Sequence, residues 1–145
     1  MLGAIVGDVV GSRFEFNNHR SKDFELFVNS CEATDDSIMT IAIGKALVET
    51  DKEFEVIDEE YLELLKENSV KYMQEIGRKY PHCGFGGRFY GWIFSNEFPK
   101  PYNSYGNGSA MRVSPVVYFS KTIDDVKKLS KAVTEVSHNH PEGIK

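Results

Sequence analysis

"TDDSIMTIAIGKAL", residues 34 to 47, decides the class of fold. Ile38, Met39, Ala42, Ile43, Ala46 and Leu47 recur at helical spacing and make one broad apolar face. Thr34, Asp35 and Ser37 are residue types that accept hydrogen bonds from the free N–H groups of a helix start. A helix is therefore expected to begin near Thr34. The same stretch raises a chemical question. Asp35 and Asp36 are adjacent carboxylates, which repel unless water or a cation separates them. They are either a solvated helix start or, with the Thr34 hydroxyl, hard oxygen ligands suited to Mg²⁺, Ca²⁺ or Mn²⁺.

The segments on either side are also helical in pattern. Leu2, Ile5, Val6, Val9 and Val10 repeat at helical spacing over residues 1 to 11. Gly3, Gly7 and Gly11 share one side of that helix, for close approach of another helix or a ligand, or for ordinary tight packing. Asp8 interrupts the apolar run. An unpaired buried carboxylate is expensive, so Asp8 is expected to face water, a partner or a metal. Glu15 follows as a loop acid, free to reach a nearby site. A third helix is expected from Asp58 to Tyr80, ended by Pro81. A last one is expected from Ile123 to Val136, opened by Thr122 and Asp125 in a capping-box arrangement.

Between these lies a stretch rich in glycine and aromatic residues, 82 to 109, read as a long ordered loop with a short helix around Arg88 to Phe94. Val116 to Phe119 is the one strand candidate. Pro141 and Glu142 in "SHNHPEGIK" suit a further helix start. The expected class is all-α, in a single domain over residues 1 to 145.

Composition narrows the function. The chain is 41% hydrophobic, enough for a real core, and its net charge is -5. A broad basic surface for nucleic-acid phosphates is missing. Two cysteines, Cys31 and Cys83, form no CxxC pair and suggest a reduced, cytoplasmic setting. No apolar run is long enough for a membrane span. The N-terminus lacks a basic leader, and no signal peptide is expected.

Two further motifs bear on chemistry. "YGNGSAMR", Tyr105 to Arg112, brackets Asn107 with Gly106 and Gly108 before a helix-like start at Ser109. Such a turn offers backbone N–H donors to a phosphate, or is a plain glycine turn. "SHNHP" holds His138 and His140, with no Cys or third His placed to complete a zinc site. They read as hydrogen-bonding or stacking groups for a ligand, or as loop residues. His82 beside Cys83 is not taken as a thiol–imidazole pair.

The order of the motifs adds what none of them carries alone. "GAIVGDVVGSRFE" (3 to 15), "TDDSIMT" (34 to 40), "GNGSAMRVSP" (106 to 115) and "SHNHPEGI" (137 to 144) resemble the ADP-ribosylglycohydrolase family in its own order. That group includes the dinitrogenase reductase–activating glycohydrolases and the ADP-ribosyl-acceptor hydrolases. The resemblance implies an all-α globule that removes ADP-ribose from a protein side chain or related conjugate with a pair of Mg²⁺ or Mn²⁺ ions. It implies that Thr34, Asp35 and Asp36 are metal ligands and that Glu15, with Asp35 and Asp36, serves catalysis. It implies that Gly106, Asn107, Gly108, Ser109 and His138 bind the substrate. Ser37 stands where the family more often has Thr, which keeps the hydroxyl.

Family members are longer, with a second acidic motif of the Asp-x-Asp-Thr/Ser type near their C-terminus. No such motif occurs here, so the chain is expected to be the N-terminal portion of the fold with half of the metal site. The alternative reading is a truncated, inactive ADP-ribose-binding protein. A metal-dependent phosphoesterase reusing Asp35 and Asp36 would leave the motif order unexplained. Self-association through apolar surface is also expected.

Overall fold

A computed structural model describes residues 1–145. It contains six α-helices, three short 3₁₀ helices and no strand. In chain order the helices are α1 (Leu2–Gly11), α2 (Asp35–Asp51), α3 (Glu59–Gly77), α4 (Gly87–Ile93), α5 (Ile123–Glu135) and α6 (Pro141–Ile144). No helix is long and apolar enough to cross a membrane.

The central element is α2. Its six expected apolar residues are all buried, together with Ser37, Thr40 and Thr50. Away from its two ends, only a narrow strip along Ile41, Lys45 and Val48 stays exposed. Small side chains at Ala42 and Ala46 let α3 lie close along it, and α5 packs against α3. Tyr61, Leu65 and Met73 of α3 and Leu129 and Val133 of α5 complete one continuous core. Each fully buried Leu or Ile contributes roughly 1.5–3 kcal/mol, so this face is what holds the fold. The side chains of Thr40 and Thr50 accept their burial by donating to the Met111 and Ala46 carbonyls, both at 2.9 Å.

Several boundaries differ from the sequence reading. α3 starts one residue later, because the Asp58 side chain caps it by accepting from the Tyr61 N–H at 3.0 Å. It ends at Gly77, before Tyr80. A Cβ at Gly77 would lie 3.1 Å from Ile93, so the missing side chain is what lets α4 close on this helix end. Arg78 then crosses the gap and donates to the Ile93 carbonyl at 2.9 Å. α5 begins as expected, with the full Thr122–Asp125 capping box, and stops at Glu135 rather than Val136. Val116 to Phe119 is no strand. Pro115 sits in the first turn of a 3₁₀ helix, Ser114–Tyr118, and no neighbouring strand exists to pair with it.

The first helix is the largest departure. Its apolar periodicity is present, yet Val10 is its one buried residue, while Leu2 is 73% exposed. Gly3, Gly7 and Gly11 have no atom within 4 Å of where a Cβ would sit. No helix approaches along them; the contact of α1 is with α2.

Candidate functional site: an acidic helix start facing a buried arginine

The start of α2 is capped by a residue from another helix. Thr34 occupies the N-cap position with extended backbone, but its hydroxyl makes no cap. Asp8 of α1 does so instead. Its carboxylate accepts from the Thr34 N–H at 2.9 Å, the Thr34 hydroxyl at 2.5 Å and the Ser37 N–H at 3.1 Å. This is the partner that the mid-helix Asp8 was expected to need. It also releases Asp35 and Asp36 from capping, so their carboxylates remain available for something else.

Burial and neighbouring acids both disfavour the charged form of those carboxylates. Partial burial, then the neighbouring Asp36, push the Asp35 carboxyl up to about 6, with Glu15 and Asp8 adding to the effect. Burial, Asp8 and Glu15 raise Asp36 as well. Glu15 itself is exposed just after a 3₁₀ turn, Ser12–Phe14. Four acids thus share one field, but no three His, Cys, Asp or Glu side chains gather into a set that could hold a metal ion. The Asp35 backbone is held by its N–H donating to the Cys83 carbonyl at 2.9 Å. Gly84 follows with φ +112°, a conformation suited to glycine, and a Cβ there would lie 3.3 Å from the Asp35 carboxylate. Burial and Asp35 push the Cys83 thiol up to about 11, which leaves it a poor nucleophile.

Asp35 lines one side of a cleft of about 250 Å³. Gly87, Arg88, Tyr102, Gly108, Arg112 and His138 are among the residues that line the rest. Segments from five parts of the chain converge there. Gly108 opens the 3₁₀ helix Gly108–Arg112, and the His138 Nε2 would be 3.8 Å from a Cβ on Gly108. His138 also meets the Tyr102 ring at 5.8 Å.

The other expected residues fall outside this cleft. Thr34 and Asp36 flank Asp35 without lining it. The Gly106 N–H donates to the Ser104 hydroxyl at 3.3 Å. Exposed Asn107 supports the 3₁₀ turn, its carbonyl accepting from the Ala110 N–H at 3.0 Å. Ser109 is buried and its hydroxyl donates to the Gly143 carbonyl at 3.4 Å, toward α6. His140 caps α6, with Nδ1 accepting from the Glu142 N–H at 3.1 Å.

Arg112 is the functional feature that residue-type reasoning missed. It closes the GNGSAMR motif, yet an arginine at a helix end gives no sign that it will be fully buried. Its guanidinium donates to the Val133 and Thr134 carbonyls, at 3.0 and 3.4 Å, and to the Ser137 hydroxyl at 2.7 Å. These carbonyls belong to the last turn of α5, the negative end of that helix. Phe89 offers its ring face at 5.5 Å. No carboxylate pairs with it, and Nη1 has no partner at all. The cleft therefore has a negative rim at Asp35 and a positive floor at Arg112. Burial, then Arg112, lower His138 to about 4, so its ring is neutral at physiological pH.

A family model for ADP-ribosylglycohydrolase matches residues 1–145, the whole chain. The chain belongs to the ADP-ribosylglycohydrolase family. That membership carries, at family level, glycohydrolase action on ADP-ribose conjugates. The all-helical architecture is the one expected of an ADP-ribosylglycohydrolase.

Proposed function

We propose that this chain forms the ADP-ribose-binding face of a metal-dependent hydrolase that removes ADP-ribose from a protein side chain or related conjugate. The observation that supports the reading best is the single cleft in which Asp35, Gly108 and His138 meet. Its two polarities suit a ligand with an anionic diphosphate and a ribose to be cleaved. The diphosphate belongs toward Arg112 and the helix start at Gly108, where N–H donors lack intrahelical partners. The ribose belongs toward Asp35.

The donor set beside Asp35 fits a hard divalent cation, Mg²⁺ or Mn²⁺, as part of a site. Burial first, and then the neighbouring acids, raise both the Asp35 and the Asp36 carboxyl, which is the environment a cation relieves. The Thr34 hydroxyl gives its proton to Asp8 and keeps lone pairs free. Thr34, Asp35 and Asp36 would hold the ion, and the pair of ions proposed for a complete enzyme needs ligands beyond these. When bound, such an ion supplies positive charge that orients ribose hydroxyls and makes a nearby water more acidic. In the cleavage, the bond from the anomeric carbon to the acceptor breaks and the water oxygen takes its place. One water proton ends on the leaving group. Positive charge develops on the ribose on the way, and Asp35, Asp36 and Glu15 favour it electrostatically.

The substrate is then an ADP-ribosylated protein or an ADP-ribose-containing small molecule. Both cysteines are free thiols, which fits the reduced cytoplasmic setting proposed for it. A second reading, ADP-ribose binding without turnover, is favoured by the lack of any three-membered ligand set. Release of ADP-ribose from a modified protein, measured with and without Mg²⁺, separates the two. The hydrolase reading expects metal-dependent release that Asp35→Ala and Asp36→Ala abolish. Calorimetric binding of ADP-ribose with no release under any metal condition would leave the second reading standing.

A further inference from the structure

We propose that Arg112 and Ser137 are positioning residues that hold His138 in its Nε2–H form, so that the neutral ring presents a donor to the cleft. The chain of contacts is Arg112 Nη2 to Ser137 Oγ at 2.7 Å, and Ser137 Oγ to His138 Nδ1 at 2.9 Å. Arg112 has only protons to give, so the serine oxygen must accept from it. Ser137 is fully buried and has no hydrogen-bond partner for its hydroxyl beyond these two. If Nδ1 carried the histidine proton, the hydroxyl would accept from both sides and its own O–H would be buried without an acceptor, which costs the full desolvation penalty. The satisfied arrangement has the serine proton on the Nδ1 side and the histidine proton on Nε2.

The direction of the relay is set at its far end. Arg112 is anchored on the α5 carbonyls of Val133 and Thr134, and Phe89 covers its face. Burial of a guanidinium without a carboxylate also opposes a second positive charge on the ring beside it. His138 Nε2 lies beside Gly108, where the Gly108–Arg112 turn enters the cleft. A neutral Nε2–H at that point donates to a ligand hydroxyl, carbonyl or phosphate oxygen whatever the pH between mild acid and neutrality. The tautomer follows from the protein alone; its use by a ligand rests on the ADP-ribose reading given above.

Long-range ¹H–¹⁵N NMR of the imidazole nitrogens tests the relay in the ligand-free protein, with the His138 signals assigned from their loss in His138→Gln. The expected wild-type spectrum at neutral pH has protonated Nε2 and bare Nδ1. Ser137→Ala is expected to let an Nδ1–H population appear, and Ser137→Thr, which keeps the hydroxyl, to suppress it. An Nδ1–H ring in the wild type would overturn the proposal. So would a Ser137→Ala spectrum identical to wild type. ADP-ribose calorimetry tests the donor's use: Ser137→Ala should weaken binding about two- to tenfold, the scale of one net hydrogen bond, with Ser137→Thr restoring it. Unchanged affinity would overturn that use. Absence of binding to the wild type would overturn the ADP-ribose reading, while the spectra still decide the relay.

Discussion

Asp8 and Asp35 are both partly buried acids, and their surroundings divide their roles. Asp8 takes three donors from the start of α2. Its replacement by alanine strands the Thr34 and Ser37 N–H groups at a helix N-terminus. We expect Asp8→Ala to cost about 2 kcal/mol in urea unfolding, the upper range for losing a helix cap. A loss below about 0.5 kcal/mol, less than an ordinary cap contributes, would mean that water caps α2 equally well. Asp35 has the opposite balance. Its folded-state pKa, about 6, lies above its ordinary value of 3.8, so folding takes up protons between those limits. Below 3.8 the group is protonated in both states and contributes nothing. As pH rises through the window, charging it costs more in the folded chain, and stability falls to a lower plateau above about 6. Asp35→Asn should therefore stabilise the metal-free protein at pH 7 by about 1 kcal/mol after solvent screening is allowed for. It should have no such effect near pH 3.5. Equal effects at both pH values would show that charge is not the cause. Divalent cation should erase the wild-type fall, since the ion favours the charged carboxylates.

The helices divide by how local their causes are. α5 was legible almost to the residue, because its cap and its apolar stripe lie within the helix itself. Thr122 accepts from the Asp125 N–H at 3.1 Å, and the Asp125 side chain accepts from the Thr122 N–H at 2.9 Å. Thr122→Ala should cost about 1 kcal/mol, read as a lower melting temperature, while Thr122→Ser should be close to neutral. A Thr122→Ala protein that melts with wild type would show that α5 is held by its packing on α3 alone. α1 carried an equally clear period, but period says only that a face could be buried. Nothing in residues 1 to 11 states what lies against that face, and Leu2 and Val6 remain outside. Val116 to Phe119 misled for a related reason. β-branched residues favour strands only where another strand pairs with them, and here Pro115 and the lack of a partner favour a 3₁₀ turn.

Across the molecule, several large apolar side chains remain at the surface, and some of them share one groove. Met1, Leu2, Ile41, Val48 and Tyr118 line a groove of about 540 Å³ between α1, α2 and the Ser114–Tyr118 turn. Leu2 and Tyr118 are 73% and 69% exposed there. We expect concentration-dependent self-association in light scattering, reduced by the pair Ile41→Glu and Val48→Glu with helix content unchanged. A clean monomer at all concentrations would argue against it. The same contrast between near and distant causes governs the candidate site. Helical class, the core face of α2, the capping box and the acids of Asp35 and Asp36 were all readable in the chain, since periodicity and caps act over a turn or two. The Asp8 cap spans 26 positions, and the Arg112 contact with Ser137 spans 25. Their geometry exists only once α1, α2 and α5 pack, because a buried polar group takes whichever partner the fold brings within reach. Folding thus set the charge on His138 and freed Asp35 from its cap, although every residue involved was visible in the sequence.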